Sequence, residues 1–281
     1  MNTEKNYYIE INNEPEIVKE IRFNILDKFK DLVFKEDTHQ YFWHNKELAP
    51  VSTFIHQYEP EFDSITVSER YAKANGQTPE YWRDKWKWNS LIATTTGTLV
   101  HEFGESLGWL INGHPELITD SCIPKYVKEK GWLIPTRDKE DSVISYMRNL
   151  PKGYHLVLNE ARVVNEYLGY AGTFDILYYF DGLGNPDKAG LIIEDYKTNK
   201  DLYKLTNREK NIRLLQPFDY MYDEPVNKYT LQQSSYQIPL EDMGYRVIGR
   251  YLIWIKSNGF ERVFVPDVSR EIRVLPPYYK G

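Results

Sequence analysis

The segment Leu191-Ile192-Ile193-Glu194-Asp195-Tyr196-Lys197-Thr198 sets a carboxylate and an ammonium two residues apart in an apolar run. Such a run reads as a strand, where alternate side chains share a face. Asp195 and Lys197 then point one way and Glu194 the other. The pair suits work on a single atom. The carboxylate holds a divalent metal; the lysine orients or deprotonates a water and offsets charge on a phosphate. Short acid-x-Lys matches also arise by chance, and the plain alternative is an ion pair at a strand end.

Three other groups carry possible chemistry. Gly169-Tyr170-Ala171-Gly172-Thr173-Phe174-Asp175 leads into Ile176-Leu177-Tyr178-Tyr179-Phe180. A carboxylate in so apolar a strand needs a partner, either backbone amides or a metal. Gly172 suits a bend or a close backbone approach. If this strand lies antiparallel to the first, Asp175 and Asp195 converge. In Gly97-Thr98-Leu99-Val100-His101-Glu102-Phe103-Gly104-Glu105, His101 and Glu105 stand at i, i+4 on one helical face and Glu102 does not. A lone helical histidine is more often a packing or surface residue. The zinc-protease pattern H-E-x-x-H is absent, because Glu105 occupies its second histidine position. Gln232 and Tyr236 repeat the i, i+4 spacing; they present polar heads to a phosphate or water, or belong to an ordinary amphipathic helix. One histidine, two aspartates and a lysine around an open site suit magnesium or manganese hydrolysis.

The elements that must position these groups follow from periodicity and punctuation. Ile17, Ile21, Ile25 and Phe29 predict an amphipathic helix over 14–30. Tyr41 and Trp43 before His44-Asn45 predict a hairpin. Ser52 or Thr53 caps a helix running to Tyr58, where Pro60 interrupts it. Thr78-Pro79 opens a helix over 79–92, with Trp82 and Trp86 on one face as packing groups or as a stacking platform for bases. Thr94-Thr95-Thr96-Gly97 opens another, to about 112, and a further helix spans 137–149. Strands follow at 155–164, 169–180 and 191–198, then a helix at 229–242, a strand at 245–256 and a partner strand at 262–265. The core order is helix, three strands, helix, strand.

The composition narrows the classes. The 281 residues carry a formal charge of −6, so no global basic field points to nucleic acid. A local groove matters more than the sum, and residues 197–213 supply one candidate, with Lys197, Lys200, Lys204, Arg208, Lys210 and Arg213 against Asp201 and Glu209. No apolar run is long enough to span a bilayer, and Met1–Glu20 lacks a signal-peptide core. The single cysteine, Cys122, excludes an internal disulfide framework and a cysteine-built metal site. The expectation is a soluble cytoplasmic chain, with an N-terminal elaboration over 1–93 and a core over 94–281.

Taken in order, G-T-x-x-H-x-x-x-E, G-x-x-D, D-x-K-T and Q-x-x-x-Y resemble the PD-(D/E)xK nuclease superfamily, in its RecB-type and phage exonuclease branches. Ser52-Thr53-Phe54-Ile55 through Phe62-Asp63 resembles the lead-in of phage-associated members. The resemblance covers about residues 94–256. It implies an α/β, restriction-endonuclease-like αβββαβ core: a central mixed sheet flanked by helices. It implies that Asp175 and Asp195 bind Mg²⁺ or Mn²⁺, that Lys197 is the catalytic lysine and that His101 is an extra metal ligand. Glu105 and Glu160 stand where such proteins often carry acids. Gln232 and Tyr236 match the motif that supports DNA and the active site, and Lys200 and Lys204 extend that surface. The implied function is a metal-dependent deoxyribonuclease, an exonuclease in phage or bacterial recombination, repair or processing. Its implied partners are DNA and a helicase, recombinase or single-strand-binding protein. The competing class is a non-cutting nucleic-acid-binding or assembly module on the same fold.

Overall fold

The computed structural model describes residues 14–35, 37–114, 116, 128–129, 132–133 and 136–278. Cys122 and Met1 to Asn13 lie outside the described residues. The chain begins with α1 (Glu16–Lys28), whose Val18, Ile21 and Ile25 are buried. Ile17, expected in that stripe, is 40 % exposed. Four-residue steps drift round a helix with 3.6 residues per turn, and Val18 closes the apolar face in its place.

Next comes a meander, β1 (Leu32–Lys35), β2 (Gln40–Trp43) and β3 (Lys46–Pro50). The expected hairpin lies between β2 and β3, with His44 and Asn45 both at positive φ as a two-residue turn requires. Helix α2 (Val51–His56) starts one residue before Ser52, without a side-chain cap. Burial of Val51, Phe54 and Ile55 fixes its start instead. After α3 (Ser64–Asn75), the two helices expected over 79–92 and 97–112 are one, α4 (Pro79–Ile111). Its start is the expected one, since Thr78 accepts the Tyr81 N–H. The threonines read as a second start do not cap. Thr95 and Thr98 donate their hydroxyls back to the carbonyls of Leu91 and Thr94, so the helix runs on through them. Residues 93 and 94 therefore lie inside one continuous helix. Trp82 and Trp86 pack against Tyr71 and Phe62 at the α3–α4 contact.

Short strands β4 (Lys128–Glu129) and β5 (Trp132–Leu133) pair with each other, and α5 (Arg137–Arg148) follows. The site-bearing strands are β6 (Tyr154–Asn165), β7 (Tyr170–Phe180) and β8 (Gly190–Lys197). A connection holding the short α6 (Leu205–Glu209) leads to α7 (Pro225–Asp242), β9 (Val247–Lys256), β10 (Gly259–Phe264) and α8 (Ser269–Arg273).

The protein is α/β, with a mixed eight-stranded sheet flanked by helices. β6–β7 and β7–β8 are antiparallel, and β8–β9 is parallel with α7 as the crossover. β6 runs along the whole length of β7. The other edge of β7 is therefore shared: β8 pairs with residues 176–180 and β3 with Tyr170 and Ala171. Among the described residues no strand pairs with 172–175 on that edge, so the sheet opens beside Asp175. Glu194 and Tyr196 turn towards α5 and α4, where they meet Tyr146 and Gly104. Lys197 turns towards α7, over the ring of Tyr229. Among the described residues no helix is long and apolar enough to cross a membrane.

Candidate metal centre

β8 delivers the sequence alternation in full. Glu194 is fully buried, hydrogen-bonded by the Tyr146 hydroxyl and by Arg262 Nε at 2.8 Å. Asp195, 1 % exposed, turns the other way and forms an ion pair with Lys197. The two neighbours thus belong to different layers of the molecule.

Asp175 lies at the opening of the sheet, one step beyond the last ladder pair, Ile176 opposite Glu194. Its Oδ2 accepts the Tyr196 backbone N–H at 2.7 Å, so the carboxylate takes over a bond that the strand ladder would otherwise make. The expected alternative, a buried aspartate met by a backbone amide, is thus part of the structure. The same Oδ2 lies 3.2 Å from Nδ1 of His101. Gly172, read as a close approach, has the Tyr236 ring and Val51 where a Cβ would stand, at 2.6 and 2.8 Å.

His101 reaches the sheet because α4 lies very close to it. A Cβ on Gly104 would stand 2.5 Å from the Tyr196 ring, and one on Gly108 2.7 Å from Asn159 Nδ2. Gly97, His101, Gly104 and Gly108 share one helical face. From the sequence, Leu107-Gly108 reads as a mark of the helix end, but the helix runs on through Gly108 to Ile111, and the spacing of Gly104 and Gly108 is instead the signal for a helix laid flat on strands.

Glu160 completes the cluster. Ligand atoms of His101, Glu160 and Asp175 all lie within 4.8 Å of one another. Glu160 is opposite Asp175 in the β6–β7 register, between the pairs Asn159–Ile176 and Ala161–Phe174. Its φ is +47°, a left-handed conformation in mid-strand for a residue with a Cβ. That conformation costs of order 1–3 kcal/mol and breaks the regular alternation of side chains. No one-dimensional pattern announces such a residue, and the resemblance supplied Glu160 only as an acid of uncertain role.

The electrostatics follow from crowding four acids and two cations. Burial opposes the charge on His101, but the Asp175 carboxylate outweighs it and pushes the imidazole up to about 9. Burial and the Asp175 charge push Glu160 up to about 8. Burial and Asp175 raise Asp195 to about 6 despite Lys197. Asp175 itself is held below its ordinary value, because His101 outweighs the effect of burial. Burial would lower Lys197, yet Asp195 and Asp175 raise it, so it stays an ammonium.

The donors form two groups. His101, Glu160 and Asp175 converge; Asp195 stands next to them, engaged with Lys197. Glu105 acts on Glu160 through its charge and is not part of the converging group. The buried Asp195 carboxylate is held by Lys197 through both charge and a side-chain hydrogen bond. A carboxylate-rich set with one imidazole fits a hard divalent cation better than a thiolate-seeking one.

The nucleic-acid residues divide differently. Tyr236, expected beside Gln232 at the phosphate backbone, is 3 % exposed. Its ring packs on Phe174, and Gln232 Nε2 donates to its hydroxyl at 2.9 Å. It is a strut, and Gln232 is the outer member of the pair. Lys200 and Lys204 are exposed. The basic stretch is weaker than its charge count. Arg208 is held by Glu224 at 2.6 Å, and Arg213 is spent on Asn211 and on the carbonyls of Asp219 and Tyr220.

No protein-family model matches this chain, and no curated protein matches it.

Proposed function

We propose that the chain is a metal-dependent phosphodiesterase acting on DNA, with a core of the restriction-endonuclease-like type. The observation that carries this reading is the convergence of His101, Glu160 and Asp175 within 4.8 Å, beside a buried Asp195–Lys197 pair at the end of a strand.

In this reading His101, Glu160, Asp175 and Asp195 hold Mg²⁺ or Mn²⁺, which supplies Lewis acidity to the scissile phosphate and lowers the pKa of a bound water. Lys197, permanently charged, orients the attacking water and stabilises the negative charge that develops on the phosphate. Glu160 and His101 give up their protons on ligation. Lys200, Lys204 and Gln232 line the approach and hold the phosphate backbone. Attack is in line, without a covalent enzyme intermediate.

The competing module, a binder that does not cut, has no chemical need for a lysine paired with a buried acid. The test is digestion of end-labelled linear, circular and single-stranded DNA, and of RNA, with Mg²⁺, Mn²⁺ or EDTA. The expected result is metal-dependent DNA cleavage abolished by EDTA. Binding without cleavage of any substrate would transfer the chain to the non-cutting class.

A further inference from the structure

The lysine of this centre has a second neighbour that no motif predicts. The Lys197 ammonium sits 4.4 Å from the centroid of the Tyr229 ring. That separation is within cation–π range. The ring is fixed from two sides. Tyr229 belongs to α7, and its phenol donates to Asn199 Oδ1 at 2.8 Å. Asn199 leaves the end of β8, and its carbonyl accepts Trp254 Nε1 from β9 at 2.7 Å. The charged groups facing Lys197 are Asp195 and Asp175, which attract it, and His101, which it repels.

In the ligand role proposed for Asp195 and Asp175, both carboxylates share their charge with a cation, and their hold on the ammonium weakens. The ring face of Tyr229 is neutral and is not competed for. We propose that Tyr229 is a positioning residue: its ring keeps the Lys197 ammonium at the end of β8 while the carboxylates are engaged. The catalytic meaning of this contact rests on the nuclease reading; the contact itself does not.

The test joins one spectroscopic and one kinetic measurement on the full chain. Lys197 methylene protons over a ring face resonate upfield, and their signals are assigned by disappearance in Lys197→Arg. With Mg²⁺ and no DNA, wild type and Tyr229→Phe retain the upfield signals and Tyr229→Leu loses them. In single-turnover cleavage of end-labelled DNA, Tyr229→Leu slows about tenfold with Mg²⁺ and DNA affinities unchanged. Tyr229→Phe, which keeps the ring and loses only the Asn199 bond, stays within about twofold of wild type. The wild-type spectrum needs no variant to fold. Absence of upfield lysine signals in it with Mg²⁺ overturns the proposal. So does Tyr229→Leu cutting at the wild-type rate with those signals lost. If the signals behave as expected but wild type cuts no DNA, the nuclease reading falls and the placement of Lys197 by Tyr229 stands.

Discussion

Glu160 shows most plainly how a single residue bears the cost of the centre. It is a half-buried carboxylate in a left-handed conformation, with its pKa pushed up to about 8 by burial and by Asp175. Asparagine tolerates that conformation better and carries no charge. Glu160→Asn is therefore expected to stabilise the metal-free protein by about 1 kcal/mol while weakening Mn²⁺ binding at least tenfold. Urea unfolding in EDTA and a Mn²⁺ titration measure the two effects; loss of stability would show that the strain was misjudged. Proton linkage gives a second prediction. Glu160, raised from 4.5 to about 8, and His101, raised from 6.5 to about 9, both favour the protonated state in the metal-free fold. His101 contributes stability that is complete below pH 6.5 and is lost as pH rises through 9, and the cost of Glu160 ionisation grows from pH 4.5 to 8. Ligation needs both deprotonated, so Mn²⁺ affinity should rise from pH 6.5 to 9 with proton release, then level off. Calorimetry in two buffers of different ionisation enthalpy reads the released protons directly. An affinity flat across that window would remove both groups from the ligand set.

At the scale of elements, α4 and β8 carry the centre. α4 can present His101 only while its glycine face touches the strands. Gly104→Ala puts a methyl into the Tyr196 ring and should destabilise by about 1–3 kcal/mol while displacing His101 and weakening metal binding. Gly97→Ala is the matched control. Its Cβ would stand 3.6 Å from Thr198 Oγ1, an ordinary contact, so the better helix propensity should add about 0.5–1 kcal/mol. Equal effects of the two substitutions in thermal unfolding would mean that α4 does not press on the sheet. β8 separates neighbours just as sharply. Glu194→Ala leaves Arg262 without its buried partner and should cost about 3–5 kcal/mol. Glu194→Gln keeps the Tyr146 contact and should retain metal binding. A loss of metal binding in folded Glu194→Gln would mean that the carboxylate has a role beyond the layer it is buried in.

For the whole molecule, the sequence was most informative where one residue type decides a local event. Strand alternation separated Glu194 from Asp195, and Thr78-Pro79 marked the start of α4. It was least informative where tertiary contacts decide. The α4 threonines resemble a cap, but their hydroxyls are satisfied four residues back along the helix. The charge of 197–213 suggested a basic groove, yet Glu224, 1 % exposed and 16 residues from Arg208, holds that arginine internally. Glu160 enters the centre through a left-handed backbone position that no sequence period marks, and Tyr229 through the packing of a crossover helix whose existence, but not its contact with Lys197, was legible. The opening of the sheet beside Asp175, set by the register of β3 and β8 on one edge of β7, likewise exists only in the assembled fold.

In the proposed nuclease, Asp175 and Lys197 act in one centre but in different roles. The direct measurement is single-turnover cleavage of end-labelled DNA by wild type, Asp175→Asn and Lys197→Ala, each beside its Mn²⁺ affinity. Asp175→Asn should lose metal binding and cleavage together. Lys197→Ala should bind Mn²⁺ as wild type does and cut at least about 10²-fold more slowly, as when a single charge-stabilising donor is removed. Cleavage by wild type in EDTA, or a Lys197→Ala enzyme cutting at the wild-type rate, would contradict the proposed metal-and-lysine mechanism.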